Sequence, residues 1–161
     1  MALRFAPFRD WESMTVRETP LPDGTMLAEL VAPRDFVDCY ANETTLDAET
    51  VAARAARFPA WVTGLLVVRN LLVMPFGLKG RARSGECIGI FPVAGRGRNE
   101  ILLGFDDRHL DFRISILCRD NVAYAATWVR PHNVLGRIYL RVVLPFHRLI
   151  MRRAVARATG A

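Results

Sequence analysis

The feature that most constrains the fold is a long amphipathic helix predicted over residues 134–153, near the end of the chain. Asn133 is a favourable N-cap, because its side-chain oxygen can accept from a backbone N–H two or three residues on. At about 100° per residue, four arginines fall on one narrow stripe of this helix: Arg137, Arg141, Arg148 and Arg152. Apolar residues cover most of the opposite side: Leu135, Ile138, Tyr139, Val142, Val143, Phe146, Leu149 and Ile150. A helix of this kind needs a large apolar surface to lie on.

The segment before this helix is predicted to form an antiparallel sheet, which would supply such a surface. Residues 87–93, 100–106, 110–119 and 122–130 have the composition of strands, and the short turn-rich links between them are of hairpin length. The third strand alternates, with one apolar face: Leu110, Phe112, Ile114, Ile116 and Cys118. A sheet with an apolar face favours a helix packed against it. The sequence therefore predicts an α+β domain whose C-terminal helix lies across a curved antiparallel sheet.

The first part of the chain is predicted to add one strand and two short helices. Residues 34–42 alternate like a strand, and residues 45–58 favour a short helix that ends before Pro59. Pro59 opens the second predicted helix, which stops at Pro75 and Gly77.

We divide the chain into three parts. Residues 1–33 are interpreted as an N-terminal arm, in which residues 25–31 are predicted to form a short strand. Residues 34–157 form the domain, and residues 158–161 are predicted to be a disordered tail.

Several short phrases carry a family resemblance: Asp38-x-Tyr40, Phe58-Pro59-x-Trp61, Arg69-Asn70, Phe76-Gly77-Leu78, Asp111-Phe112-Arg113, His132-Asn133-x-x-Gly136-Arg137-x-Tyr139 and Pro145-Phe146-His147-Arg148-Leu149-Ile150. Over residues 34–153 the chain resembles an uncharacterised bacterial family, domain of unknown function 2867. The order of elements is also similar to the helix-grip fold of the START and pollen-allergen (SRPBCC) superfamily. This resemblance implies a curved sheet that wraps the C-terminal helix, with two short helices closing one end of a cavity. It implies no agreed reaction, cofactor or catalytic residue.

Charge is distributed unevenly along the chain. The net charge is +6, yet the first fifty residues carry ten acids and only four arginines, and no acid follows Asp120. A basic C-terminal half can meet phosphates or anionic lipid. The plainer interpretation is a solvated helix face balanced by the acidic N-terminal segment.

Several classes of protein are not indicated. Cys39, Cys87 and Cys118 form no C-x-x-C pair, so neither a disulfide framework nor a thiolate metal site is expected. The usual zinc-hydrolase and serine-hydrolase motifs do not occur, and we expect no cofactor and no metal. Residues 61–78 and 134–151 are both apolar, but each includes charged side chains that disfavour a transmembrane helix. We expect a soluble, cytoplasmic protein.

A cavity between the sheet and the last helix is the first functional hypothesis. It would bind a hydrophobic or aromatic small molecule, and nucleic acid is not the expected partner. The expected ligand-binding residues are Tyr40, Trp61, Leu65, Asn70, Phe105, Phe112, Ile114, Thr127, Tyr139, Val142 and Phe146. Most are apolar, and Asn70 would give the ligand an orienting hydrogen bond.

Two other hypotheses remain open. In the first, the cavity belongs to a cyclase or isomerase in which Tyr139 or His147 moves a proton; a free histidine has a pKa of about 6.5, suited to a general base. In the second, the protein is an interaction module whose arginine stripe contacts an acidic partner, nucleic acid or an anionic membrane. A buried titratable group facing the cavity would favour the enzyme, and a purely apolar lining would favour the binding protein.

Overall fold

A single antiparallel sheet dominates the computed structural model, which describes residues 16–58 and 85–160. Its strands are β1 (Arg17–Glu18), β2 (Phe36–Glu43), β3 (Cys87–Ile88), β4 (Phe91–Arg96), β5 (Glu100–Asp106), β6 (Leu110–Arg119) and β7 (Val122–Pro131). They are arranged in the order β1-β2-β7-β6-β5-β4-β3. The predicted α+β fold, with a curved sheet crossed by a C-terminal helix, is confirmed. The predicted helix that opens at Pro59 lies outside the described residues.

The first long strand pairs with the last. Strand β2 runs antiparallel to β7 along its whole length, from Phe36 opposite Val129 to Glu43 opposite Val122. Because β5, β6 and β7 are joined by hairpins, this pairing brings the N-terminal strand beside the end of the meander.

Side chains on the strands alternate between two covered faces. The helix face packs against the helices and carries Tyr40, Ile101, Leu103, Ile114, Ile116, Ala123 and Ala125. The arm face packs against Leu21, Met26 and Leu27 of the N-terminal arm and carries Cys39, Leu102, Ala126 and Trp128. Because both faces are covered, β7 is apolar on both sides, which hides the period-two pattern of a half-solvated strand.

Two helices lie on the helix face. Helix α1 (Ala48–Ala55) begins at Asp47, whose Oδ1 accepts from the backbone N–H of Thr50 at 2.8 Å. Helix α2 (Val134–Thr159) has 26 residues and begins at the predicted cap, where Asn133 Oδ1 accepts from the N–H of Gly136 at 2.9 Å. A Cβ on Gly136 would lie only 2.2 Å from the carbonyl oxygen of His109, so this close approach requires glycine.

The prediction of a disordered tail over residues 158–161 is wrong for residues 158–160. Helix α2 continues to Thr159, and Ala158 is fully buried in the core. Thr159 Oγ1 accepts from the side-chain amide of Asn42 at 2.8 Å, which ties the end of the helix to β2. Small alanines in the last turns allow the helix to approach the core closely, so the domain continues beyond residue 157.

The predicted strand over residues 25–31 is also wrong. Residues Ala28–Leu30 form a 3₁₀ turn, which Thr25 stabilises by accepting from the N–H of Ala28 at 3.0 Å. Leu27 is fully buried against the arm face. Burial of this one side chain, rather than strand pairing, determines the local conformation.

The apolar side predicted for the last helix is only partly buried. Near its end, α2 packs on the sheet through Met151, Ala154, Val155 and Ala158. Along the preceding turns a row of large apolar side chains is exposed: Val134, Ile138, Val142, Phe146 and Leu149. Residues 134–150 are apolar around most of the helix, so one sheet can cover only the part that faces it.

Candidate functional site

Polar side chains are grouped on the helix face where β2 meets β7. Asp38 and Thr127 are direct partners in the β2–β7 ladder, and Tyr40 follows Asp38 on the same side of β2. All three are buried. The partner of Tyr40 on β7 is Ala125, which has a small side chain.

Helix α2 adds His147 to this group. Its Nε2 lies 3.2 Å from Asp38 Oδ2 and 3.4 Å from Oδ1, and only the Oδ1 contact has hydrogen-bond geometry. The side chain of Asp38 is 3% exposed and that of His147 is 19% exposed. The ring of Phe36 packs edge-on against the imidazole, with centroids 6.2 Å apart. A carboxylate that is ionised only accepts hydrogen bonds, so in this contact the imidazole would donate from Nε2 and keep Nδ1 for another partner.

Three buried oxygen atoms in the group have no hydrogen-bond partner in the described part of the chain: Asp38 Oδ2, the Tyr40 hydroxyl and Thr127 Oγ1. Buried polar atoms are nearly always paired, because an unpaired one costs about 1–3 kcal/mol. Burial raises the pKa of the Tyr40 phenol and the charge of Asp38 adds to the effect, whereas the nearby Arg152 guanidinium acts to lower it. The phenol is therefore protonated at neutral pH and can donate a hydrogen bond.

Aromatic rings continue along the helix face from this group. Phe112 contacts Phe105 at 5.4 Å and Phe91 at 5.8 Å between ring centroids. Phe91 in turn contacts Phe58 at 5.9 Å. All four rings are only half-buried within the described structure, so they present apolar surface beside the polar group.

The structure brings together about half of the predicted ligand-binding residues. Tyr40, Phe105, Phe112, Ile114 and Thr127 all lie on the helix face. Tyr139 is half-buried on α2.

The other predicted residues lie elsewhere. Val142 and Phe146 are 63% and 56% exposed on the outer side of α2, so they do not belong to the group that faces the sheet. Trp61, Leu65 and Asn70 lie outside the described residues.

Sequence reasoning missed Asp38 and Phe36 as members of the site. Their signal was present, because Phe36, Asp38 and Tyr40 alternate onto one face of a strand and Asp38 puts a carboxyl group in an otherwise apolar row. The partner of that carboxylate is 109 residues away in the chain, at His147. Local patterns do not encode a pairing over that distance.

The arm face also buries polar groups, but these are paired. Glu100 accepts from Ser115 Oγ at 2.6 Å and from a backbone N–H of the arm at 2.8 Å. Asp35 accepts from the indole N–H of Trp128 at 2.8 Å and from two nitrogens of Arg130 at 2.8 and 3.1 Å. The hydrogen bond from Arg130 lowers the pKa of Asp35 to about 2.

A polar cleft of about 350 Å³ lies at one end of the sheet. The link between β2 and α1 and the turns before β5 and β7 form its walls, including Thr44, Asp47, Asn99 and Asp120. None of the three unpaired oxygen atoms is among the lining residues, so the cleft is separate from the group around Asp38.

Two further features, a metal site and a membrane-spanning helix, are absent from residues 16–58 and 85–160. No three His, Cys, Asp or Glu side chains are grouped so that they could hold a metal ion. No helix in these ranges is long and apolar enough to cross a membrane.

Comparison with known protein families identifies the family of this chain. Residues 30–154, which include β2, β7 and most of α2, match the family described as "Protein of unknown function (DUF2867)". The chain belongs to this family. Asp38, Tyr40, Thr127 and His147 all lie inside the part that matches DUF2867. Comparison with curated proteins and with solved structures found no match.

Proposed function

We propose that this DUF2867 protein binds a small molecule with a hydrophobic or aromatic body and at least one polar group, between the helix face and α2. The observation that carries the proposal is the set of unpaired buried oxygen atoms on Asp38, Tyr40 and Thr127. A ligand that offers both a donor and an acceptor would pair with the carboxylate and the two hydroxyls.

The surroundings of these atoms suit such a ligand. Small-molecule sites are mostly apolar, with a few convergent polar groups that fix orientation. The rings of Phe91, Phe105 and Phe112 offer the apolar surface, and a planar ligand can pack against their edges or faces. The polar end of the ligand would then lie toward Asp38.

A second candidate function is proton transfer on the bound molecule, of the isomerase or cyclase type. The contact between Asp38 and His147 favours it, because a buried carboxylate orients the imidazole and stabilises the imidazolium that forms when Nδ1 takes a proton. Tyr139, the other predicted proton donor, lies two turns before His147 on α2.

Native mass spectrometry of the purified protein tests ligand binding, with denaturing extraction to identify any molecule that travels with it. We expect an added mass that is lost in Thr127→Val and Tyr40→Phe, because each change removes one hydrogen-bonding hydroxyl and keeps the shape of the side chain. Ser115→Ala is the matched control, since it removes a buried hydroxyl from the arm face and should keep the added mass. An added mass retained in both helix-face variants, or no added mass and no thermal shift with a library of aromatic compounds, would overturn the proposal.

Proton transfer is tested on the same complex by solvent deuterium exchange into the bound molecule. His147→Asn should slow exchange by about a hundredfold or more, the usual contribution of a positioned acid or base, while binding persists. Asp38→Asn should slow exchange as well and also weaken binding, because its carboxylate belongs to the proposed ligand site. Unchanged exchange in both variants would reject the enzymatic candidate and leave the binding function intact.

A further inference from the structure

The outer side of α2 carries two parallel rows of exposed side chains. The exposed stripe consists of Val134, Ile138, Val142, Phe146 and Leu149. The arginine row consists of Arg137, Arg141, Arg148 and Arg152, all of them exposed. The two rows lie about a quarter-turn apart around the helix. The exposed stripe is opposite the side that packs on the sheet, and the arginine row lies on the flank between them.

The exposed stripe is unusual for a protein surface. Scattered exposed apolar residues are common, but a continuous row of large ones on a helix marks a surface that contacts something apolar. From Val134 to Leu149 the stripe extends for about 22 Å along the helix. Its members are also large: a buried valine, leucine, isoleucine or phenylalanine side chain is stabilised by about 1.5–3 kcal/mol relative to an exposed one.

The arginine row determines what can cover the stripe. Within the described residues no acid pairs with Arg137, Arg141 or Arg148, and only Arg152 has an acidic partner, Glu18 at 3.4 Å. No Asp or Glu occurs anywhere after Asp120, so α2 itself offers no compensating negative charge. A surface that is both apolar and negatively charged would satisfy both rows.

We propose that α2 lies on an anionic phospholipid membrane, with the exposed stripe in the acyl boundary and the arginine row at the phosphates. This is the arrangement of an interfacial amphipathic helix, in which apolar residues enter the bilayer and basic side chains extend to the headgroups. The helix lies in the plane of the surface. The proposal does not depend on the small-molecule function, because the exposed stripe points away from the helix face, although Arg152 at the end of the arginine row also lies over the ring of Tyr40.

Charge and shape argue against the other occupants. In a dimer formed through the stripe, two arginine rows would face each other with no acid between them. A nucleic acid would pair with the arginines but would leave the apolar stripe in water. A fluid membrane accepts a protruding helix without a preformed groove, whereas a protein partner would need one.

Vesicle flotation with the full chain tests the proposal. We expect binding to vesicles of phosphatidylcholine mixed with phosphatidylglycerol, weak binding to phosphatidylcholine alone, and loss of binding as salt rises. Arg141→Gln should weaken binding about fivefold, the usual effect of one basic residue at an anionic surface. Phe146→Ser should weaken it about tenfold or more, because it removes a large apolar contact.

Matched controls lie in the turns on either side of β4. Ile90 is exposed and apolar, and Arg98 is exposed and basic, yet neither is on α2. Ile90→Ser and Arg98→Gln should bind anionic vesicles as well as the unaltered chain does. All four positions are exposed, so their variants should keep the thermal stability of the unaltered chain.

A fluorescent reporter shows whether the stripe itself enters the bilayer. Phe146→Trp should add a blue-shifted emission on addition of anionic vesicles, whereas Ile90→Trp should not. The proposal fails if no binding to anionic vesicles occurs at low salt, or if the control variants weaken binding as much as the α2 variants. It also fails if Phe146→Ser dissociates a dimer or releases a bound nucleic acid or protein while vesicle binding is unchanged.

Discussion

The two faces of the sheet bury polar groups in different ways. On the arm face, the carboxylates of Glu100 and Asp35 each accept several hydrogen bonds from nearby side chains and backbone. On the helix face, Asp38, Tyr40 and Thr127 each leave a buried oxygen atom without a hydrogen-bond partner among the described residues. The helix-face set lies on β2 and β7, whereas Glu100 lies on β5 and Asp35 comes directly before β2.

This difference distinguishes polar groups whose hydrogen bonds hold the fold together from polar groups whose hydrogen-bonding capacity the described residues leave unused. A fully paired network rigidifies the place where the arm meets the sheet and adds stability. An unpaired set costs stability, and such costs are concentrated at functional sites. The arm face is therefore structural, and the helix face is where a ligand would find unused hydrogen-bonding capacity.

The largest expected effect comes from breaking the arm-face network. Glu100→Ala removes the acceptor of Ser115 Oγ and of the Met26 N–H, and leaves both donors buried. We expect the free energy of unfolding to fall by about 3 kcal/mol, measured by urea denaturation at neutral pH. Glu100→Gln, which keeps one acceptor oxygen, should lose clearly less. Equal losses in the two variants would mean that packing volume, not hydrogen bonding, makes this carboxyl group important.

The second prediction concerns pH and Asp35. In the folded state its pKa is about 2, below the ordinary value of 3.8, so the unfolded chain binds the proton more readily. The resulting stabilisation is complete above about pH 5 and is lost as pH falls through 2. Because the Arg130 guanidinium is partly exposed and screened by solvent, we expect the effect to be about 1–2 kcal/mol.

Urea denaturation of the unaltered chain and of Asp35→Asn across this acid range measures that effect. The difference between the two free energies of unfolding should shrink as pH falls. Protonation of Asp35 removes from the unaltered chain the same stabilisation that Asp35→Asn has already removed. Parallel curves would show that the contact between Asp35 and Arg130 contributes nothing measurable to folding.

Periodicity predicted the meander and the last helix because those elements satisfy local rules. Residues 110–119 alternate cleanly, and Asn133 caps α2 as predicted. The prediction of a strand over residues 25–31 was wrong because one buried side chain, Leu27, overrides the local preference for a strand. The prediction of a disordered tail was wrong because Ala158 is buried in the core, and the local sequence does not indicate that burial.

Only part of the candidate functional site could be predicted from the sequence. The positions of Tyr40 and Phe112 followed from strand alternation, but that of Thr127 did not, because β7 is apolar on both sides. Asp38 contacts His147, which lies at the other end of the domain. The orientation of α2 was not predictable in the same way. Apolar residues cover most of its circumference outside the arginine row, so the position of the sheet decides which of them are buried and which are exposed.

Removing one hydroxyl from each face of the sheet tests the comparison between the helix face and the arm face directly. Thr127→Val removes an unpaired buried hydroxyl, so the ligand-free protein should gain about 1 kcal/mol in its free energy of unfolding. Ser115→Ala removes a hydroxyl that donates to Glu100 at 2.6 Å, so it should lose about 1 kcal/mol. Urea denaturation measures both. A loss in Thr127→Val would show that its hydroxyl is paired in solution and that the helix face resembles the arm face.

Tyr40→Phe should have the smallest effect on stability. The phenyl ring keeps its place in the core and its contact with the guanidinium of Arg152, whose carbon lies 5.6 Å from the ring centroid. Only a hydroxyl without a hydrogen-bond partner is removed, so we expect a change within about 0.5 kcal/mol in ligand-free protein. The same substitution should nevertheless abolish retention of the ligand. A loss of more than about 1 kcal/mol without ligand would mean that the hydroxyl already contributes a hydrogen bond to the fold, as a merely structural tyrosine does.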